Sequence, residues 1–294
     1  MPMTRTEIRN SMRHKLGAWP KVSTTLNGAI TASGTSVILS DSGTSVASSC
    51  LVEIDSETMF VKSISSNTLT VARGYHGTTK AAHSNGADVN IYEPYGWTDN
   101  QLNLSISRAC EWSCTDPNPL WSFKFYTGSG ANAWPADTYE LNIGNSIADW
   151  PNKGGYILRL EFQTDDSPTR WERCTNFEQR KSIIRIGPLF TAARTFKVHV
   201  ARFQPNLTAD ASALDDVAFE TPIILYACYW CLKDLQGSRA KFVEYSASLN
   251  ERAATMDELL RVVFDFKNQA DLQKRDASQP IPKEFRRFFY GRRV

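Results

Sequence analysis

Residues 52–92 read VEIDSETMFVKSISSNTLTVARGYHGTTKAAHSNGADVNIY, and this stretch decides the fold. Short β-branched runs, LVEI at 51–54 and TMFV at 58–61, are separated by Ser, Thr, Gly and Asn. With SVIL at 36–39 they predict a small all-β module from about Thr24 to Tyr92. Asn67 stands at a turn between two alternating runs, so Met59–Ile64 and Leu69–Val71 form a hairpin. His76 and His83 invite a metal or catalytic reading, but no thiol or carboxylate pair stands at ligand spacing beside them in the sequence. Turn chemistry accounts for them better: the glycines supply positive φ, and a loop histidine bonds backbone carbonyls.

Helical patterns flank this module. Thr4 and Glu7 form a capping box ahead of Ile8, Met12 and Leu16, and Gly17 and Pro20 stop the helix. Thr98 and Gln101 form a second capping box, with Leu102, Ile106, Ala109, Cys110 and Ser113 on one stripe. Strand-like runs then return: FKFY at 123–126, YILRLEF at 156–162, SIIRI at 182–186 and FKVHVARF at 196–203. Their spacing predicts a β sandwich. The last third is helical. Thr221 and Pro222 read as a cap and first turn, and Gly237 as a stop. A longer helix from about Ser238 to Gln273 carries Phe242, Tyr245, Leu249, Ala253, Met256, Leu260, Val263 and Phe266 as its packing stripe.

The expected fold class is therefore α+β. A helical core takes its N-terminal part from 1–20 and 96–114 and its C-terminal part from 208–275. A small β module is inserted at 22–95, a sandwich-like domain occupies 115–207, and 276–294 is an extended tail without helical or strand period.

Composition narrows the function. The chain has 294 residues, enough for two or three cores. Its 33 basic and 31 acidic residues leave a net charge of +2, far from the basic excess of a dedicated nucleic-acid binder. The longest apolar run, Pro222 to Leu232, is shorter than the ~20 residues of a membrane span. No apolar segment follows the N-terminal charges, so assembly in a cytoplasm is expected. The six cysteines are expected to be free thiols in a chain this size. Cys228 with Cys231 and Cys110 with Cys114 raise a four-thiolate zinc reading, but both pairs lie on apolar helix faces without knuckle turns, where cysteine acts as a small hydrophobe.

No phosphate loop, nucleophile elbow or H-E-x-x-H is present. Asp165 and Asp166 read as a turn before Pro168. No catalytic residue, cofactor or metal is expected. Trp121, Trp134, Trp150 and Trp171 offer stacking platforms for a carbohydrate, against the commoner role of tryptophan in a sandwich core or interface.

Asp55, Glu57, Asn67–Val71, Arg73, Gly74, Gly77, Thr78, Ala81, His83 and Gly86 together resemble a β module that recurs in tailed-phage structural proteins. The order of elements around it resembles phage head-to-tail adaptor (connector, or head completion) proteins. That resemblance implies a non-enzymatic virion protein at the head–tail junction, assembled in the host cytoplasm. It implies a homo-oligomeric ring, a dodecamer, docked between the portal and the tail or tail-completion proteins, lining a channel through which genomic double-stranded DNA passes without specific binding. It also implies that the C-terminal segment binds the portal. There Phe285, Phe288, Phe289 and Tyr290 are the anchors, and Arg286, Arg287, Arg292 and Arg293 are the partners of acidic groups. The rival reading is a tail or baseplate component with a carbohydrate-binding β domain.

Overall fold

The computed structural model describes residues 1–41, 46, 48–93, 96–115, 118–143, 155–164, 170–180, 182–187, 189–236 and 256–278. The fold is mixed α+β, with four α-helices and three antiparallel sheets among the described residues. It divides into two compact units, one formed by Met1–Cys110 and Leu207–Gln273, the other by Glu111–Asn206 and the chain from Lys274.

In the first unit, helix α1 (Arg5–Leu16) begins at Thr4, which accepts the Glu7 N–H at 3.3 Å while its own N–H donates to the Glu7 carboxylate at 2.7 Å. Gly17, at φ 63°, closes the helix in the left-handed region open to glycine. Ile8, Met12 and Leu16 are buried. Arg5, Arg9 and Arg13, four residues apart, form a second stripe. Asp210 binds the first two at 2.7 Å each, and Asp99 binds Arg13. Hydrogen bonds from Arg5 N to Ser212 O (2.8 Å) and from Leu214 N to Met3 O (3.0 Å) tie the chain start to the later segment of the unit.

Six strands follow: β1 (Val22–Thr25), β2 (Ser36–Ile38), β3 (Leu51–Ile54), β4 (Glu57–Ser65), β5 (Thr68–Ala72) and β6 (Asp88–Tyr92). They form one antiparallel sheet in the order β1-β6-β3-β4-β5-β2. Its outer strands meet just past their ends. Leu26 bridges Leu39, Asn27 N–H donates to Ile38 O at 2.8 Å, and Ser40 N–H donates to Thr25 O at 2.9 Å. The sheet thus curls on itself around Val37, Val52, Ile54, Met59, Val61, Leu69, Val71, Val89 and Ile91, and its edges are occupied at that point. The β4–β5 turn holds Ser66 at φ 57° and Asn67, whose side chain donates to Leu39 O at 3.1 Å.

Helix α2 (Asp99–Ser113) opens on the Thr98–Gln101 box, with Thr98 N–H donating to Gln101 Oε1 at 2.9 Å, and it buries Leu102, Ile106, Ala109, Cys110 and Ser113. Glu53, on β3, accepts the N–H groups of Asp99 (2.8 Å) and Asn100 (3.1 Å) and the Tyr92 hydroxyl (3.2 Å). A strand carboxylate therefore occupies the positive end of this helix.

Helix α3 (Glu220–Gln236) packs on α1 and departs from the expectation at its start. Thr221 is not the cap. A 3-10 turn, Val217–Phe219, leads straight into the helix and is capped by Asp216, which accepts the Ala218 N–H at 3.0 Å. Thr221 and Pro222 lie inside the first α turn, where proline costs no hydrogen bond. Gly237 lies outside the described residues. Helix α4 (Met256–Ala277) runs four residues beyond Gln273, and 238–255 lie outside the described residues. Its buried stripe is Leu259, Val263, Ala270 and Lys274, while Leu260 and Phe266 are half-buried at the margin. Of the expected stripe Val263 is buried and Leu260 and Phe266 sit at the margin, while Phe242, Tyr245, Leu249, Ala253 and the Met256 side chain lie outside the described residues.

The second unit holds β7 (Trp121–Gly128), β8 (Glu140–Asn142), β9 (Gly155–Gln163), β10 (Trp171–Cys174), β11 (Phe177–Arg180), β12 (Ile183–Ile186) and β13 (Phe196–Phe203). One sheet has the order β10-β9-β13-β7 and another β11-β12-β8. They share a core of Leu160, Phe162, Ile184, Ile186, Phe196 and Val198 around Trp134. Lys274 is also buried. Its ammonium donates to Trp112 O and Thr115 O, each at 2.8 Å, and lies 4.5 Å from the Trp112 ring. These carbonyls close the α2 C-terminus, the end that favours a cation.

Glu53 gives a pH dependence whose sign follows from its surroundings. Burial first, then the Asp99 charge, raise its pKa from 4.5 to about 7 against the bonds from Asp99, Asn100 and Tyr92. Folding takes up a proton between those values, so this residue's contribution falls as pH rises from 4.5 to about 7. Glu53→Gln keeps an acceptor and removes the charge. Thermal melts at about pH 5 and about pH 8 should show a smaller loss of stability on going alkaline in Glu53→Gln than in the wild type.

Candidate functional site

Four residues of the 52–92 signature, Arg73, Gly74, Ala81 and His83, converge on the carboxylate of a fifth, Glu57. Glu57 sits at the start of β4 with 0% exposure. Arg73, just after β5, grips it with both ends of its fork, Nε to Oε1 at 2.8 Å and Nη2 to Oε2 at 2.6 Å. The N–H of Gly74 donates to Oε1 at 2.9 Å and that of Ala81 to Oε2 at 2.9 Å. His83 Nε2 lies 3.1 Å from Oε2, and its Nδ1 lies 2.7 Å from the Asp55 carboxylate. Arg73 completes its bonding on the carbonyls of Thr31 (2.8 Å), Gly34 (2.7 Å) and Ala81.

Local backbone conformation makes this convergence possible. Gly74, His76, Gly77 and Gly86 adopt φ of 66°, 56°, 77° and 80°, and Asp55 at φ 53° turns β3 into β4. At Gly74 a side chain would also meet Thr78 O at 2.9 Å. Thr78 pins the loop to β4 by accepting the Thr58 N–H at 3.0 Å. His83 pairs backbone to backbone with Ile30, and the His76 ring lies against Tyr75 at 4.5 Å and against the Gln101 amide at 2.6 Å.

One sequence expectation is corrected here. Carboxylates do flank a histidine, since Asp55 and Glu57 stand on the two ring nitrogens of His83. They precede it by 28 and 26 residues and meet it only through strand pairing. Direct hydrogen bonds fill the space, and no cluster of three or more metal-ligating side chains occurs among the described residues. Burial pushes the Glu57 pKa up, but the bonds from Arg73, Ala81, His83 and Gly74 outweigh it and hold the value at about 2. A carboxylate with five donors has no lone pair left for a further ligand and holds its charge down to strongly acid pH, so its role is cohesive.

The remaining candidates separate. The six cysteines are unbridged thiols, and no four-thiolate cluster forms among the described residues. Cys231 donates toward Ser105 Oγ at 3.3 Å, and burial pushes its pKa to about 12 and that of Cys228 well above its ordinary value. Both behave as core hydrophobes. Of the four tryptophans, Trp134 is fully buried with its indole N–H on Thr138 O at 2.9 Å, and Trp121 is buried and stacked on Phe203 at 4.0 Å. Trp171 is exposed, and Trp150 lies outside the described residues, as do Asp165 and Asp166. The portal-binding candidates Phe285, Arg286, Arg287, Phe288, Phe289, Tyr290, Arg292 and Arg293 also lie outside them.

A scan against models of protein families and a search of curated proteins found no match to this chain.

The hub predicts two measurements. Arg73→Ala leaves a buried anion without its cation and should cost ~3 to 5 kcal/mol by chemical denaturation. Glu57→Gln should cost a comparable amount, and the double variant much less than the sum. The depressed pKa of Glu57, and that of Asp210 held at about 2 first by Arg9 and then by Arg5, give stability that is complete above the ordinary carboxylate range and lost as pH falls toward 2. Glu57→Gln should therefore flatten the acid limb of the stability–pH curve.

Proposed function

We propose that this chain is a structural protein of a tailed-phage virion, a head-to-tail adaptor that forms a ring between portal and tail, and that it is not an enzyme. One observation carries the reading. The residues of the phage-like signature spend their hydrogen-bonding capacity on each other and on the backbone, as befits an architectural module and not a reactive site. The order of elements supports it: a capped helix, a six-stranded module, a second capped helix, a two-sheet unit and closing helices. We read α1 to α4 as the adaptor core.

Near-neutral composition suits a conduit. Duplex DNA carries one charge per ~1.7 Å, and a strongly basic lumen would hold the genome that must pass. No helix among the described residues is long and apolar enough to cross a membrane. The rival reading, a carbohydrate-binding tail or baseplate component, loses Trp121 and Trp134 as platforms because both are buried.

In this reading the segment from Pro280 to Val294 docks on the portal, its aromatic residues anchoring and its arginines pairing with acidic groups. Deletion of 280–294 should leave the circular dichroism spectrum and melting temperature unchanged while abolishing cosedimentation with portal rings. Stoichiometric binding by the truncated protein would remove the tail from the interface. Failure of the full chain to bind the portal would overturn the adaptor reading itself.

A further inference from the structure

The outer face of the β10-β9-β13-β7 sheet carries a composition that solvent alone does not explain. Core residues Leu160, Phe162, Cys174, Phe196, Val198 and Tyr126 fix the inward parity of each strand, so the alternate positions point out. Among those outward residues are Phe123, Phe125, Trp171, Lys197, Arg159 and Arg173. Phe125 is 67% exposed, and Phe123 and Trp171 are also open.

The Lys197 ammonium stands between two rings, 4.3 Å from Trp171 and 5.7 Å from Phe125, and His199 lies 6.2 Å from Phe125. Among the described residues the one acid pointing out from this face, Glu161, is engaged by Arg159 and by His199 at 3.1 Å. Exposed aromatics set among cations are the makeup of a protein-binding surface with an acidic partner.

A complementary surface exists on the same chain. Along α4, Glu258, Val262, Asp265, Gln269, Leu272 and Asp276 recur at steps of four and three residues and are all exposed, away from the buried stripe of Leu259, Val263, Ala270 and Lys274. This outer stripe carries three carboxylates, Glu258, Asp265 and Asp276, with the aliphatic side chains of Val262 and Leu272 and the amide of Gln269 between them, and exposed Arg261 borders it. Asp265 accepts from Gln269 at 2.7 Å, and Asp276 lies 3.6 Å from Arg275. Val262 and Leu272 are about half exposed.

We infer that the basic, aromatic sheet face of one copy receives the acidic, aliphatic α4 stripe of a second copy. The two patches differ, so the contact is heterologous and repeats from copy to copy, which builds a ring or a filament instead of a closed pair. Val262 and Leu272 supply the apolar area for Phe123 and Phe125. Asp265 and Glu258 meet the cations around Lys197, which sets orientation. This deepens the ring reading but stands on the two surfaces, and portal binding does not enter its test.

The test is sedimentation velocity on the full chain over a concentration series at low and high salt. The wild type should self-associate, more weakly at high salt. A face variant, Phe125→Thr with Lys197→Thr, and a stripe variant, Val262→Gln with Asp265→Asn, should each weaken association by at least ~tenfold with unchanged circular dichroism and melting temperature. Mixed in equal amounts, the two variants should form a one-to-one dimer and stop, because the pair retains one intact face and one intact stripe able to meet. A monomeric wild type, a variant that assembles like the wild type, or a mixture that stays monomeric would overturn the inference. A fluorescent oligodeoxythymidine or acidic polysaccharide that binds the wild type and not the face variant would assign the face to a polyanion and overturn it equally.

Discussion

Burying the charge of Glu57 is the constraint on which the first unit depends. An ion at 0% exposure persists only if its lone pairs are filled, and here that demand recruits Arg73, Gly74, Ala81 and His83 from the chain between β5 and β6. The connection is long and has no regular structure beyond one 3-10 turn. Without the carboxylate it would have little reason to take one shape. Two positions earlier on the strand path, Asp55 makes the turn and holds the other side of His83, and Glu53 reaches out to the N-terminus of α2. One short hairpin thus fixes a loop on one side and a helix on the other.

The sequence was legible where the deciding contacts are local. The Thr4–Glu7 and Thr98–Gln101 boxes, the 196–203 strand and the β4–β5 hairpin each depend on residues within a few positions of one another. It was less legible where distant partners decide. Glu53 sits in an alternating strand and looks like a solvent-facing polar residue until α2 is placed over it. The meeting of Leu26 with Leu39 joins strands whose pairing depends on the whole sheet order. The start of α3 misled because Thr-Pro is a strong local start signal, whereas Asp216 caps a 3-10 turn that the pattern does not mark. The burial of Lys274 on α4 has the same origin, since it rests on carbonyls and an aromatic ring that no hydrophobic periodicity anticipates.

The portal-docking candidates and the sheet face illustrate opposite limits. The C-terminal aromatics and arginines stand out in one dimension because nothing periodic surrounds them. Phe123 and Phe125 do not stand out, because FKFY reads as an ordinary sandwich strand, and Trp171 stands out only as one of four tryptophans without a face. Only the inward parity of Phe196, Val198, Leu160 and Phe162 reveals that these aromatics lie on the outside.

The net charge of +2 conceals how charge is arranged. In the first unit Arg73 is paired one to one with Glu57, and Arg5, Arg9 and Arg13 are engaged by the two carboxylates of Asp210 and Asp99, so most of their charge is offset within a few ångströms. Lys274 is held by carbonyl dipoles away from solvent. Cations engaged in this way cannot steer a partner, however many the composition counts. On the outer sheet face the arrangement differs: Arg159, Arg173 and Lys197 point outward, and the buried carboxylate of Glu161 is engaged by Arg159 and His199. A protein close to neutral overall therefore presents a local positive field on a surface already furnished with exposed rings, where an acidic, apolar partner gains from desolvation and from charge together.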